Sequence, residues 1–183
     1  MSPRRVVVAG IGNLMRHDDA VGPLVARRVA ERFEGAAGAD AASPGKDLDV
    51  AFASPLGEPL ELLGKWDGAD LAVVVDAVRS GAPAGTVTLD WLGPGGLEAV
   101  AGDRRSPSTH GLGVADVFRL ASTLGQAPAR VALVGVEGAD FSFGEGLSAP
   151  VAAGLREAVE LAIAVSSGQV EDGRRDSGYP GMP

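Results

Sequence analysis

VVVAGIGNLMRHDDAVGP, residues 6–23, runs from an apolar β-branched stretch through two close glycines into paired carboxylates and then a helical pattern. The valine run is short and unbroken, as in a strand buried on both faces of a parallel sheet. From Ala20 to Phe33, the residues Val21, Leu24, Val25, Arg28 and Val29 recur on one helical stripe. Asp18 or Asp19 is placed to cap its start. Strand, turn and helix in this order form the first half of a crossover unit.

The remainder continues the alternation. DLDVAFA (47–53) reads as a weaker strand, PLGEPLELLGKW (55–66) as a short helix, and ADLAVVVDA (69–77) as the clearest strand, stopping at Asp76. GTVTLDWL (85–92) alternates after the turn-like SGAPAG, the pattern of a strand added at an edge. In GLGVADVFRLASTLG (111–125), Leu112, Ala115, Val117, Phe118, Ala121 and Leu124 share a helical face. ARVALVGVE (129–137) is another buried strand, and SAPVAAGLREAVELAIAV (148–165) a last helix with Ser148 as its cap and Pro150 in its first turn. These elements predict an α/β three-layer sandwich: a parallel-dominated sheet with helices on both faces, in one domain over residues 1–166. Residues 167–183 are polar and rich in Gly and Pro, and are expected to be a disordered tail. In such folds ligands sit beyond the carboxyl ends of the strands. That edge carries the turn after the first strand, Asp76, and the loop after VALVGVE.

Composition narrows the function. The formal net charge of -8 over 183 residues repels phosphate backbones, and the paired arginines at 4–5, 27–28, 104–105 and 174–175 form no basic stripe. Nucleic acid is therefore not an expected partner. No apolar run is long enough for a membrane span. Without cysteine the chain offers no disulfide and no thiolate ligand, which is compatible with the cytoplasm.

The glycine turn does not complete a dinucleotide fingerprint, because Met15 stands where a third glycine would fall. Two carboxylates opening the next helix would also repel a pyrophosphate. One of them can cap the helix while the other faces a cation or a proton donor. Asp76 closes an apolar strand, where an unpaired carboxylate is costly to bury. His110, one of two histidines, precedes a helix in SPSTHGLG. A carboxylate from Asp18 or Asp19, Asp76 and the His110 imidazole suit a borderline divalent cation with open positions, or general acid–base hydrolysis. Spacing alone does not separate the two.

GIGNLMRHDDAVGP, VVVDAVRSGAPAGTVTL, SPSTHGLGVADVF and VGVEGADFSFGEGLSAPVAAGLREAVEL, in this order from Val6 to Val165, resemble the hydrogenase maturation proteases. Those are cytoplasmic endopeptidases that trim the C-terminus of the [NiFe] hydrogenase large-subunit precursor. The resemblance implies a phosphorylase/hydrolase-like α/β sandwich and a nickel-recognising site of two acids and a histidine. Carried over by position, these are Asp19, Asp76 and His110, with Asp19 and Asp76 also as the catalytic, aspartic-type pair. Gly10, Gly12, Asn13, Asp18 and Gly57 would shape the surrounding loops or touch substrate. Nickel would be sensed inside the precursor and not retained, with cadmium or another divalent cation able to substitute. Cleavage would follow a basic residue near the precursor's metal-binding cysteines. An incomplete, thiolate-free ligand set suits sampling a metal whose soft ligands belong to another protein.

Two departures from the family pattern stand out. FASPLG (52–57) replaces a DGGT-like stretch and keeps only Gly57, and Asp19 stands where others have Glu, one methylene shorter. Two other readings compete: a peptidyl-tRNA hydrolase-like enzyme, whose catalytic histidine His17 would mimic, and a non-catalytic nickel-binding assembly chaperone on the same scaffold.

Overall fold

The computed structural model describes residues 4–37, 48–93 and 113–171. Among them, five strands form one sheet: β1 (Arg4–Ile11), β2 (Leu48–Leu56), β3 (Leu71–Val78), β4 (Val87–Leu92) and β5 (Arg130–Glu137). Their order is β2-β1-β3-β5-β4. β1 pairs in parallel with β2 and β3, and β3 with β5, whereas β4 joins β5 antiparallel at the edge. The sheet is thus parallel except for the added edge strand that the alternation in 85–92 predicts.

Strand alternation divides the core in two. Val6 and Val8 of β1, and Leu71, Val73, Val75 and Ala77 of β3, face α1 (Val21–Ala37) and α3 (Ala149–Ser166). Ala9, Ile11, Ala72 and Val74 face the other way, onto Leu62, Trp66 and α2 (Val114–Leu124). Trp66 meets Phe118 of α2 edge-to-face, with ring centroids 6.4 Å apart. Asp76 has the parity of Ala72 and Val74, so it leaves the sheet on the α2 side.

Several local expectations need correction. The segment 55–66 contains a 3-10 turn, Pro59–Leu62, whose start is capped by Glu61 accepting the amides of Gly57 and Glu58. It goes no further because Leu63 leaves the helical region with ψ 129° and Gly64 follows at φ +76°. Arg28 and Leu124 lie on the exposed sides of α1 and α2 and outside the buried stripes. Residues 167–170 close α3 instead of leaving it as a tail: Ser167 donates to Ile163, and Gln169 and Val170 to Ala164. Val170 then packs on the core. Residues 172–183 lie outside the described residues. No helix of the described residues is long and apolar enough to cross a membrane.

Candidate functional site

The turn between β1 and α1 is built by close backbone approach. Gly12 has φ +137°, and a Cβ there would run into the Asp19 carbonyl. Gly10 and Gly22 allow α1 to sit directly on the strands: a Cβ at Gly10 would strike the Gly22 backbone, and one at Gly22 would strike the carbonyls of Ile11 and Val75. The start of α1 is thereby wedged over the carboxyl ends of β1 and β3. A 3-10 turn, His17–Ala20, leads into it.

The two adjacent carboxylates of this turn do different work, and neither hydrogen-bonds as the expected helix cap. Asp18 is fully buried and reaches across the edge to the loop after β5. Its Oδ2 accepts the amides of Ala139 and Asp140, both at 2.8 Å, and the Ser148 hydroxyl at 2.8 Å. Its Oδ1 accepts the Ser148 amide at 2.7 Å. Burial pushes the Asp18 carboxyl up, but the hydrogen bonds from Asp140, Ser148 and Ala139 outweigh it and hold the group below its ordinary value. Ser148, at the N-cap position of α3, makes no side-chain cap hydrogen bond there. Its hydroxyl is engaged by Asp18. Asp19 instead accepts the Asn13 amide at 2.8 Å through Oδ2, and Asn13 Oδ1 accepts the Met15 amide at 2.9 Å.

Asp76 is the opposite of Asp18. It is 8% exposed, and its Oδ1 is buried with no hydrogen-bond partner. Burial, and then the charge of neighbouring Asp19, push its carboxyl up to about 8 against a backbone hydrogen bond from Ala77. The charge that Asp76 feels places Asp19 near it at the same sheet edge. His110 lies outside the described residues. Among the described residues no three His, Asp or Glu side chains could hold a metal ion.

Gly57 sits at the end of β2 with its amide on Glu61 Oε1 at 2.9 Å. The preceding Leu56 carbonyl accepts the Gly12 amide at 2.9 Å, so the FASPLG segment is tied directly to the glycine turn. His17 bonds the Gly146 carbonyl through Nδ1 at 2.9 Å, and its Nε2 stands 4.0 Å from Asp140. It is a buttress between two loops.

Sequence reasoning missed Glu137. Its carboxylate accepts the amides of Ser80 and Gly81, each at 2.9 Å, and the Ser80 hydroxyl at 2.7 Å. Burial raises this group, but the bonds from Ser80, Gly81 and Ala82 prevail and hold it low. The signal that singles out Asp76, an acid closing an apolar strand, was equally present in ARVALVGVE.

A sequence model described as hydrogenase maturation protease matches residues 57–165. The chain belongs to the hydrogenase maturation protease family. The hydrogenase 2 maturation protease of Escherichia coli strain K12 is 28% identical over 181 residues, spanning 98% of this chain and 96% of that one. The hydrogenase maturating endopeptidase HybD from E. coli superposes with a TM-score of 0.64 at 26% identity, covering 91% of this chain and 93% of its own. A [NiFe] hydrogenase maturation protease, HycI from Thermococcus kodakarensis KOD1, gives a TM-score of 0.61 at 27% identity, covering 88% and 90%. As a maturation protease the chain is a peptidase, and the tRNA-hydrolase reading of the glycine turn is set aside.

Proposed function

We propose that this maturation protease removes the C-terminal extension of a nickel-loaded [NiFe] hydrogenase large-subunit precursor in the cytoplasm. Asp19, Asp76 and His110 would read the nickel. The observation that carries this is the unpartnered Asp76 Oδ1, held beside a second carboxylate at the carboxyl edge of the sheet. Two acids crowded in a low-dielectric site repel one another, and a cation relieves both the repulsion and the unmet oxygen. The donor set of oxygens, completed by an imidazole, lacks the soft ligands needed to keep nickel, so the metal belongs to the substrate and leaves with it.

Bound nickel would polarise the scissile carbonyl or simply fix the precursor in register. The chain's own part in hydrolysis is proton handling. Asp76 or Asp19 takes a proton from water as the water oxygen bonds to the carbonyl carbon. The C–N bond then breaks, and the same proton passes to the departing amine. A carboxyl near 8 exchanges protons readily around neutral pH, which suits this two-way transfer.

The test is incubation with the nickel-loaded precursor and with its nickel-free form, followed by intact-mass spectrometry. The loaded precursor should lose a C-terminal peptide and the nickel-free one should stay whole. Equal cutting of both would remove nickel from recognition, and cutting of neither would leave the chaperone reading.

A further inference from the structure

The loop after β5 and the β1–α1 turn are joined by a short parallel bridge between Arg16 and Gly144. The Gly144 amide donates to Met15 and the His17 amide to Gly144, both at 2.9 Å. This platform presents three large apolar side chains to solvent: Leu14 at 45%, Met15 at 42% and Phe143 at 75% exposure. Two arginines are anchored on one residue of the same loop, Phe141. The Arg79 guanidinium lies over the Phe141 ring, 4.0 Å from its centroid, and Arg16 Nη1 donates to the Phe141 carbonyl at 3.3 Å. Among the described residues neither arginine forms an ion pair. The nearby Asp140 carboxylate is engaged by the Ser142 amide and hydroxyl.

Exposed aromatic and arginine side chains on a braced surface are the usual anchors of a protein contact. We infer that Arg16 and Arg79, with Phe143, Leu14 and Met15, form a docking site for an acidic segment of the substrate polypeptide that carries apolar side chains. The inference rests on the reading of the chain as a protease acting on a hydrogenase precursor. Charge complementarity selects the occupant. Two oriented cations in a chain of net charge -8 suit one or two carboxylates, not a polyphosphate strand, which the rest of the surface repels. The exposed apolar trio suits a segment that also carries apolar side chains. The platform is continuous with the candidate site, since Asn13 joins Asp19 to Met15.

The experiment measures binding and cleavage of the nickel-loaded large-subunit precursor by the full chain, from low to high salt. The double variant Arg16→Glu/Arg79→Glu should raise the dissociation constant and KM by about tenfold or more at low salt, with kcat moving far less. Its salt dependence should reverse, because salt now screens a repulsion, whereas that of the neutral glutamine pair should flatten. Phe143→Ser should weaken binding equally at all salt concentrations. Arg16→Gln/Arg79→Gln serves as the milder pair, and circular dichroism checks that each variant folds. If wild type cuts the precursor and the arginine variants match its affinity and KM, the docking site is wrong while the protease reading stands. If wild type binds without cutting and the variants lose that binding, the docking site holds and the protease reading fails. No binding by wild type overturns both. Preferential, arginine-dependent binding of a fluorescein-labelled RNA oligonucleotide would reassign the platform to nucleic acid.

Discussion

Asp18 and Asp76 are both buried acids at the same edge of one sheet, yet the protein treats them in opposite ways. Asp18 receives four hydrogen bonds, from Ala139, Asp140 and Ser148, and its carboxyl is held low. Asp76 keeps one oxygen unmet, and its carboxyl is pushed up to about 8. Glu137 sides with Asp18, with its donors supplied by Ser80 and Gly81. A carboxylate that the chain satisfies itself is scaffold. One left unsatisfied at the cost of stability waits for something from outside.

Asp76→Asn breaks the comparison most sharply, because it should move activity and stability in opposite directions. Precursor cleavage should fall by about 100-fold or more, from loss of the base. The metal-free variant should nevertheless be more stable than wild type. The Asp76 carboxyl titrates near 8 when folded, and near 3.9 unfolded. Wild type therefore loses stability as pH rises between those values, by on the order of a few kcal/mol at pH 8. Asparagine removes that loss. Denaturant titration at pH 5 and pH 8 should show the gap between variant and wild type widening with pH. A variant less stable at pH 8 would mean that Asp76 is scaffold after all.

Asp18→Asn should do the reverse. It places an amide donor among four donors and should cost about 3 kcal/mol. The folded group titrates below its ordinary value, so its contribution is complete above about pH 4 and is lost as pH falls through the lowered folded value. The variant's stability should therefore be flatter on the acid side, as read from thermal melts between pH 2 and 6. Glu137→Gln should follow the same pattern more weakly, costing about 1–2 kcal/mol, because its donors lie on an outer loop. An Asp18→Asn protein as stable as wild type would erase the distinction between the two kinds of acid.

The sheet was legible because its strands are apolar runs bounded by turns, and β4 because it alternates. Asp76 was legible for a local reason, an acid ending an apolar strand. The roles of Asp18, Ser148 and Glu137 were not, because their partners lie 56 to 130 residues away. Local sequence shows Ser148 as a candidate cap and Asp18 as a cap, a cation-facing acid or a loop-shaping residue. The four donors that meet Asp18, and the distant carboxylate that takes the Ser148 hydroxyl, decide between these. The stretch 55–66 reads as a short helix and holds a single 3-10 turn, Pro59–Leu62. The start is well capped by Glu61, but the chain turns out of helical geometry at Leu63 and Gly64 after one turn.

The contact of Gly10 and Gly22 has a dynamic consequence. Helix and sheet usually meet through a layer of side chains that can change rotamer and absorb small displacements. Here main chain rests on main chain, from the Gly22 carbonyl over Gly10 to Gly22 against Ile11 and Val75. That joint has no compressible layer, so the helix start cannot slide or rock without unzipping the strand ends beneath it. The amides around Gly22 should exchange with solvent only on the timescale of global opening. Asp19 and Asp76, one on each side of the joint, should then keep a fixed spacing at rest. The protease would measure an arriving metal against a rigid gauge instead of closing around it.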